Sequence, residues 1–189
     1  MLIESYGKEF AADAEAAAPA VFAKTPLGET AAEILEMIRC YAGDGMVFYG
    51  QGDLVNAVAS FAYGYGWLDA GMFLGYLYGR CTRTVPEITD RIPDVLLDHL
   101  IEKTNRYQRM FSSALEDIVV LPDSETRMYS AAQHTNTIAI STFTEGIRFF
   151  TAGNPVAALV SFSYGYGWLD CGVRAGLFGI VGNRHLFTI

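Results

Sequence analysis

Apolar and polar positions along the chain follow the period of an α-helix, and no useful length alternates with the period of a β-strand. An Ala-rich stretch with interspersed Glu and Lys predicts a first helix within residues 2–22, ended near Pro19 to Pro26. Thr25 followed by Pro26 is typical of the N-cap and first turn of a second helix, and Asp53 can cap a third. The second and third helices are predicted to run to about Tyr49 and Gly79.

The second half has a similar pattern after a connection that starts at Thr84 and Glu87, which have capping-box spacing. The turn sequence Leu121-Pro-Asp-Ser precedes a fifth helix that runs to about Thr151, and Asn154 caps a sixth. The fourth helix is predicted from an apolar stripe with spacings of four and seven, formed by Leu96, Leu100, Tyr107, Phe111 and Ile118. The sequence therefore predicts an all-α fold of six helices.

One duplicated block organises the chain. The segment Tyr63-Gly-Tyr-Gly-Trp-Leu-Asp69 recurs unchanged as Tyr164-Gly-Tyr-Gly-Trp-Leu-Asp170, at an offset of 101 residues. Of the 26 positions in 54–79, 13 are identical to their counterparts, whereas the 26 positions upstream share only four. We expect two tandem three-helix up-and-down bundle repeats, residues 1–85 and 86–189, related by an internal pseudo-two-fold axis. Whether the repeats form one core or two stays open at this point.

Composition excludes several classes of protein. Hydrophobic residues make up 51% of the chain and charged residues 18%, which indicates a folded, unusually apolar protein rather than a disordered one. The formal net charge of −8 disfavours nucleic acid as a partner, because an acidic surface repels phosphates. A polybasic anchor on anionic lipid is disfavoured for the same reason.

Cysteine usage and hydropathy favour a cytoplasmic protein. Cys40, Cys81 and Cys171 are far apart and lack any Cys-x-x-Cys spacing, which is typical of reduced thiols rather than of disulfides or a zinc site. No basic segment followed by an apolar one opens the chain, so no secretory signal is expected. The longest uncharged stretch, Phe149–Leu169, keeps only 14 uncharged residues after Pro155. That is too short for a bilayer, so we expect no membrane insertion.

Glycine is unusually frequent in the third predicted helix, where each glycine costs up to about 1 kcal/mol relative to alanine. The sequence favours a close helix–helix contact, with another helix of the chain or with another copy. The alternative is that Tyr-Gly-Tyr-Gly forms a turn that breaks the helix. A dinucleotide-binding loop is excluded because Asp69 stands where the third glycine of G-x-G-x-x-G would be, and no strand precedes it. The small residues predicted to share the contact face are Ser60, Gly64, Gly71 and Gly75.

The duplicated aromatic residues and carboxylates are the candidate chemistry. Tyrosine and tryptophan four residues apart stack on one helix face, either as core packing or as the wall of a cleft for a flat or apolar ligand. Two aspartates without a nearby histidine or glutamate make a poor metal site, so we expect neither a metal nor another cofactor. The candidate ligand-binding residues are Tyr63, Trp67, Asp69, Tyr164, Trp168, Asp170 and Arg174.

Each aspartate of the block is the only charge in an apolar helical stretch, and burial of a lone carboxylate is costly unless it is paired. Asp170 has Arg174 four residues later, in the favourable order for a helical ion pair. Asp69 has Phe73 at that position and lacks this partner. We therefore expect Asp69 to accept a hydrogen bond from a tyrosine or a helix end, or to pair with Arg174 across the pseudo-two-fold axis.

The block and its flanks resemble a known family signature. Ser161-Phe-Ser-Tyr-Gly-Tyr-Gly-Trp-Leu-Asp-Cys-Gly-Val-Arg-Ala-Gly-Leu-Phe178 is similar to the signature of the archaeal Domain of Unknown Function 357 family. Gly52-Asp-Leu-Val-Asn-Ala-Val-Ala-Ser-Phe61, which leads into the first block, resembles the same signature. The resemblance implies a small up-and-down three-helix bundle per repeat in an archaeal, cytosolic protein. It implies no activity, so no catalytic residues follow from it.

Three functional hypotheses remain. A non-catalytic interaction module that self-associates or binds a protein partner requires the fewest special features in the sequence. The alternative is a small-molecule-binding protein with its site between the repeats, since bundles build sites between facing helices. An enzyme using Asp69 or Asp170 as a general base ranks third, because no second catalytic group stands at a predictable spacing. We expect no catalytic residues.

Overall fold

The computed structural model describes residues 1–80 and 85–188, and these form six α-helices in two three-helix units, as the sequence predicts. In chain order the helices are α1 Ile3–Ala16, α2 Pro26–Gly50, α3 Leu54–Phe73, α4 Leu97–Glu116, α5 Arg127–Thr151 and α6 Pro155–Arg174. Short 3₁₀ helices lie at Asp94–Leu96 and Arg184–Leu186. The boundary between the repeats near residue 85 stays a prediction, and the predicted capping residue Thr84 lies outside the described residues.

The predicted helix starts are confirmed by their caps. The hydroxyl of Thr25 accepts a hydrogen bond from the backbone N–H of Gly28 at 3.1 Å, at the start of α2. Asp53 accepts from the N–H of Asn56 at 3.0 Å, at the start of α3. Asn154 accepts from the N–H of Ala157 at 3.1 Å, at the start of α6. Each cap satisfies one of the backbone donors that a helix N-terminus leaves free.

Two predicted helix ends are wrong. The first helix ends at Ala16, before the prolines. The third ends at Phe73 rather than near Gly79, because Gly75 has φ +79°. This left-handed conformation lets the N–H of Tyr76 return to the carbonyl of Gly71 at 2.9 Å, which completes a Schellman motif.

Two short antiparallel strand pairs were not predicted. They join the segment after the first helix of each repeat to the segment after its third helix, and they consist of β1 Ala18–Pro19 with β2 Leu77–Tyr78, and β3 Ile118–Val120 with β4 Phe178–Ile180. Strands of two or three residues are too short to show the alternation by which a strand is recognised in a sequence.

The helices α3 and α6 lie at the centre of the protein. All residues from 57 to 71 in α3 and from 158 to 172 in α6 are buried, as expected for helices that are apolar all round. α3 packs on α1 and α2, α6 packs on α4 and α5, and the two central helices pack on each other. One continuous hydrophobic cluster includes residues of both repeats.

The central helices cross at Gly66 and Gly167. A methyl group added at Gly66 would overlap the carbonyl oxygen of Tyr164 and lie 3.0 Å from the Cα of Gly167. A methyl group at Gly167 would overlap the carbonyl oxygen of Tyr63 in the same way. The predicted close contact therefore exists between the repeats. The alternative of a turn at Tyr-Gly-Tyr-Gly is wrong, because both helices continue through this sequence.

Of the small residues predicted to share a close helix contact, Gly64 and Gly71 do make one, but with the outer helices of the first repeat rather than with the other central helix. Gly64 lies against Phe10 of α1 and Tyr41 of α2, so it serves packing within the first repeat. Gly71 likewise lies against Ile34 of α2, and Gly75 lies beyond the end of α3. A helical wheel identified a small-residue face correctly, but that face is covered by the outer helices of its own repeat.

Substitutions at the crossing test its tightness. Gly66→Ala and Gly167→Ala are each expected to lower the free energy of unfolding by about 1–3 kcal/mol, because the methyl group displaces the opposite backbone. Gly43→Ala in α2 is the control, since a methyl group there has no atom within 4 Å. It is expected to raise the free energy of unfolding by about 0.5–1 kcal/mol, because alanine has a higher helix propensity than glycine. Urea denaturation followed by circular dichroism measures all three, and equal effects would contradict the crossing.

Candidate functional site

Two reciprocal tyrosine–aspartate hydrogen bonds join the duplicated blocks. The hydroxyl of Tyr63 on α3 donates to Oδ2 of Asp170 on α6. The hydroxyl of Tyr164 on α6 donates to Oδ2 of Asp69 on α3 at 2.8 Å. Asp69 is 0% exposed and Asp170 is 1% exposed, so both carboxylates lie inside the protein. The pseudo-two-fold relation between the helices therefore turns one sequence block into a matched pair of contacts.

Of the partners expected for Asp69, the structure shows a tyrosine, Tyr164. Arg174 instead forms its ion pair with Glu33 of α2, at 3.2 Å. Within the described residues Arg174 forms no ion pair with Asp69 or with Asp170. The helical ion pair expected between Asp170 and Arg174 is therefore wrong, because the guanidinium of Arg174 pairs with Glu33 of the first repeat instead.

Asp170 has the more unusual electrostatic environment. Burial raises its pKa from the ordinary value of 3.8 to about 7, against the opposing effect of hydrogen bonds from Tyr63 and Thr188. The backbone N–H of Thr188 lies 3.4 Å from Oδ2. Oδ1 is buried and has no hydrogen-bond partner in the part of the chain that the structure describes. This carboxylate is therefore only half satisfied.

One cavity lies between the repeats, and we call it the aromatic cavity. It has a volume of about 450 Å³. The ring of Phe73, at the end of α3, stacks on the ring of His134 of α5 with 4.3 Å between centroids and lies 5.7 Å from the ring of Trp168. Its lining residues are Phe73, Val85, His134, Ile138, Ser141, Thr142, Glu145, Tyr164 and Trp168.

The aromatic stack has a different counterpart at the equivalent place on the other side of the pseudo-two-fold axis. At the offset of 101 residues, Phe73 corresponds to Arg174 and Glu33 corresponds to His134. Arg174 and Glu33 form the ion pair described above, so a salt bridge occupies the place that the stacked rings occupy in the other half. The two copies have diverged at this pair of positions. One of the two equivalent places therefore has an aromatic wall, and the other has a salt bridge.

A smaller cavity, which we call the tyrosine cavity, lies beside Asp170. It has a volume of about 160 Å³ and is covered by the segment after the last strand. In that segment the carbonyl of Leu186 accepts a hydrogen bond from Tyr166 at 2.5 Å, and the hydroxyl of Thr188 lies 3.0 Å from that of Tyr63. The lining residues are Tyr41, Ala59, Ser60, Tyr63, Tyr107, Met110, Tyr166, Asp170, Leu186 and Thr188.

The candidate residues from the sequence do not form one site. Tyr164 and Trp168 line the aromatic cavity, and Tyr63 and Asp170 line the tyrosine cavity. The remaining three, Trp67, Asp69 and Arg174, line neither of these cavities. Trp67 is 0% exposed and belongs to the core, which is one of the two roles that the sequence left open for the aromatic residues.

Sequence reasoning missed several lining residues. The difference between Phe73 and Arg174 at equivalent positions was visible in the sequence, and it was the only signal for the aromatic wall. His134 and Ile138 had no such signal, since they lie in a diverged helix. Tyr41 and Tyr107 were equally hidden, because they come from helices outside the duplicated block.

No group of three or more His, Cys, Asp or Glu side chains within residues 1–80 and 85–188 is placed to hold a metal ion. Over the same residues, no helix has the length and apolar character that crossing a membrane requires.

The raised pKa of Asp170 predicts a pH-dependent stability. Between about pH 4 and pH 7 the folded protein binds more protons at this group than the unfolded chain, so this group's contribution to stability falls as pH rises. Asp170→Asn removes that titration. The free energy of unfolding of the variant, relative to the wild type, should therefore rise by about 2 kcal/mol from about pH 5.5 to pH 8.

Urea denaturation at the two pH values measures this difference, and an unchanged difference would contradict the buried titration. The carboxyl ¹³C resonance of Asp170 should also titrate with a midpoint near neutrality. Tyr63→Phe should raise that midpoint, because its hydroxyl stabilises the charged carboxylate.

Comparison with protein-family models identifies the repeats. A family model described as "Protein of unknown function (DUF357)" matches residues 5–77 and again residues 106–178. The two matched ranges are offset by the same 101 residues as the duplicated block. No curated protein and no solved structure gives a significant match. Because the two matches together cover more than half of the sequence, the chain belongs to the DUF357 family and contains its domain in two tandem copies.

Proposed function

We propose that this protein binds a small, flat and mainly apolar molecule in the aromatic cavity. The observation that carries the proposal is the wall formed by Phe73, His134 and Trp168, in which α3 of the first repeat meets α5 and α6 of the second. The volume of about 450 Å³ falls within the range of about 300–1,000 Å³ that is usual for ligand pockets.

The polar groups of the cavity indicate the kind of ligand. The hydroxyl of Thr142 donates to the carbonyl of Ile138 at 2.8 Å, and that of Ser141 donates to the same carbonyl at 3.0 Å. Both hydroxyl hydrogens are therefore used, and the oxygens are left to accept. The carboxylate of Glu145 is also an acceptor. A ligand with a flat ring and an N–H or O–H donor complements this lining.

The divergence between the repeats supports the same proposal. At one of the two equivalent places between the repeats, Arg174 of α6 forms an ion pair with Glu33 of α2, which is a common surface contact. At the other place, the stacked rings of Phe73 of α3 and His134 of α5 line a cavity. Aromatic rings facing a cavity serve ligand contact better than they serve stability.

The glycine seam does not by itself favour the interaction module. Gly64 and Gly71 contact other helices of their own chain, which is one of the two contacts that the sequence left open. Self-association or a protein partner stays a separate proposal. The enzyme hypothesis requires a carboxylate in an open cleft, whereas Asp69 and Asp170 are buried.

We also propose that the protein acts in the cytoplasm of an archaeon. The resemblance of its repeats to an archaeal family signature supports the source. The free thiols of Cys40, which is exposed, and Cys171, which is buried, support a reducing compartment.

Binding can be tested with N-phenyl-1-naphthylamine, a neutral, flat probe with one N–H donor whose fluorescence rises in apolar sites. We expect saturable binding to the wild type. Ile138→Trp fills the aromatic cavity and is expected to weaken the probe's affinity at least tenfold.

Met37→Trp is the matched control, because Met37 is the counterpart of Ile138 in the first repeat and lines neither cavity. It should leave the affinity within twofold of the wild type. Absence of saturable binding, or an equal loss in both variants, would contradict the proposed site.

A further inference from the structure

The tyrosine cavity contains a buried carboxylate oxygen without a partner. Asp170 is 1% exposed, and its Oδ2 accepts from the hydroxyl of Tyr63 and lies near the N–H of Thr188. Its Oδ1 has no hydrogen-bond partner among residues 1–80 and 85–188. A buried charged oxygen left unpaired is costly, and Asp170 is one of the residues that line a cavity of about 160 Å³.

Protonation removes the charge of this carboxyl but does not give Oδ1 a partner. A protonated Oδ1 would become a donor and would need an acceptor, and no described group forms a hydrogen bond with this oxygen. Within residues 1–80 and 85–188, the nearby cations do not satisfy it either. Arg174 is paired with Glu33, and Lys103 hydrogen-bonds to Asn56 at 2.5 Å. Neither cation forms an ion pair with Asp170 within the described chain.

The walls of the cavity suit a positive charge. Four tyrosines line it, and their rings lie close together: the centroids of Tyr41 and Tyr63 are 4.5 Å apart, and those of Tyr63 and Tyr166 are 6.2 Å apart. Aromatic ring faces attract cations, and a cage of such rings beside a carboxylate is the usual way to bind an ammonium group. The fourth ring, that of Tyr107, already has the ammonium of Lys103 4.9 Å from its centroid.

We infer that the tyrosine cavity binds a small organic cation with an ammonium group, held by the carboxylate of Asp170 and the rings of the surrounding tyrosines. The volume is that of about five water molecules, which is enough for an ammonium carrying a few carbon atoms. Leu186 and Thr188, from the segment after the last strand, complete its lining. The site shares no lining residue with the aromatic cavity and does not rest on the function proposed for it.

The probe for this site is choline, titrated by calorimetry at about pH 8.5, where Asp170 is ionised, and at constant ionic strength. Its neutral isostere, 3,3-dimethyl-1-butanol, has the same shape without the charge. We expect choline to bind at least tenfold more tightly than the alcohol. Equal affinities, or no choline binding by the folded wild type, would overturn the inference and leave a water-filled cavity.

Variants locate the site. Asp170→Asn should weaken choline binding at least tenfold, whereas Asp69→Asn, which alters the reciprocal tyrosine–aspartate contact, should leave it within twofold. Ser60→Leu fills the cavity from α3 without removing a charge, and it should also abolish choline binding. This variant keeps the test decisive if Asp170→Asn fails to fold.

Equal losses in the two aspartate variants, or unchanged binding in Ser60→Leu, would contradict the assignment. N-phenyl-1-naphthylamine binding, measured on the same samples, separates this site from the proposed function. If choline does not bind while N-phenyl-1-naphthylamine does, only this inference is overturned.

Discussion

The contact on which the rest of the structure depends is the backbone crossing of α3 and α6 at Gly66 and Gly167. Because neither residue has a Cβ, the two central helices approach until the carbonyl of each lies against the glycine of the other. That short distance brings the tyrosine of each block within hydrogen-bond reach of the other block's aspartate. The seven-residue block is identical in both copies because the pseudo-two-fold arrangement uses its glycine, tyrosine and aspartate twice.

Away from the crossing the two copies are free to differ, and their differences create two unlike cavities. The ion pair of Arg174 with Glu33 at one place between the repeats corresponds to the stacked rings of Phe73 and His134 at the other. A large aromatic cavity lies beside the stacked rings, and a small cavity with a more polar lining lies beside Asp170. Duplication thus supplied a rigid central pair of helices, and divergence of the outer helices supplied two candidate sites of different chemistry.

The sequence predicted what depends on local chemistry. The helix starts at Thr25, Asp53 and Asn154 are correct, because a cap is formed by residues close together in the chain. The small-residue face of Gly64 and Gly71 makes a close helix contact, but a small-residue face does not reveal which neighbouring helix covers it. The partner of Asp170 and the lining of both cavities depend on helices brought together only by tertiary packing, so residue spacing could not identify them.

The central claim is that the crossing joins the two repeats into one cooperative unit. Trp67 and Trp168 lie in the two central helices, so Trp168→Phe and Trp67→Phe give proteins with one fluorescent probe in either repeat. Equilibrium urea unfolding, followed in each variant by tryptophan fluorescence and by far-ultraviolet circular dichroism, is the direct measurement. The account predicts that both signals change in one coincident transition in each variant. A fluorescence transition displaced from the dichroism transition, in opposite directions for the two variants, would show that the repeats unfold separately and would contradict it.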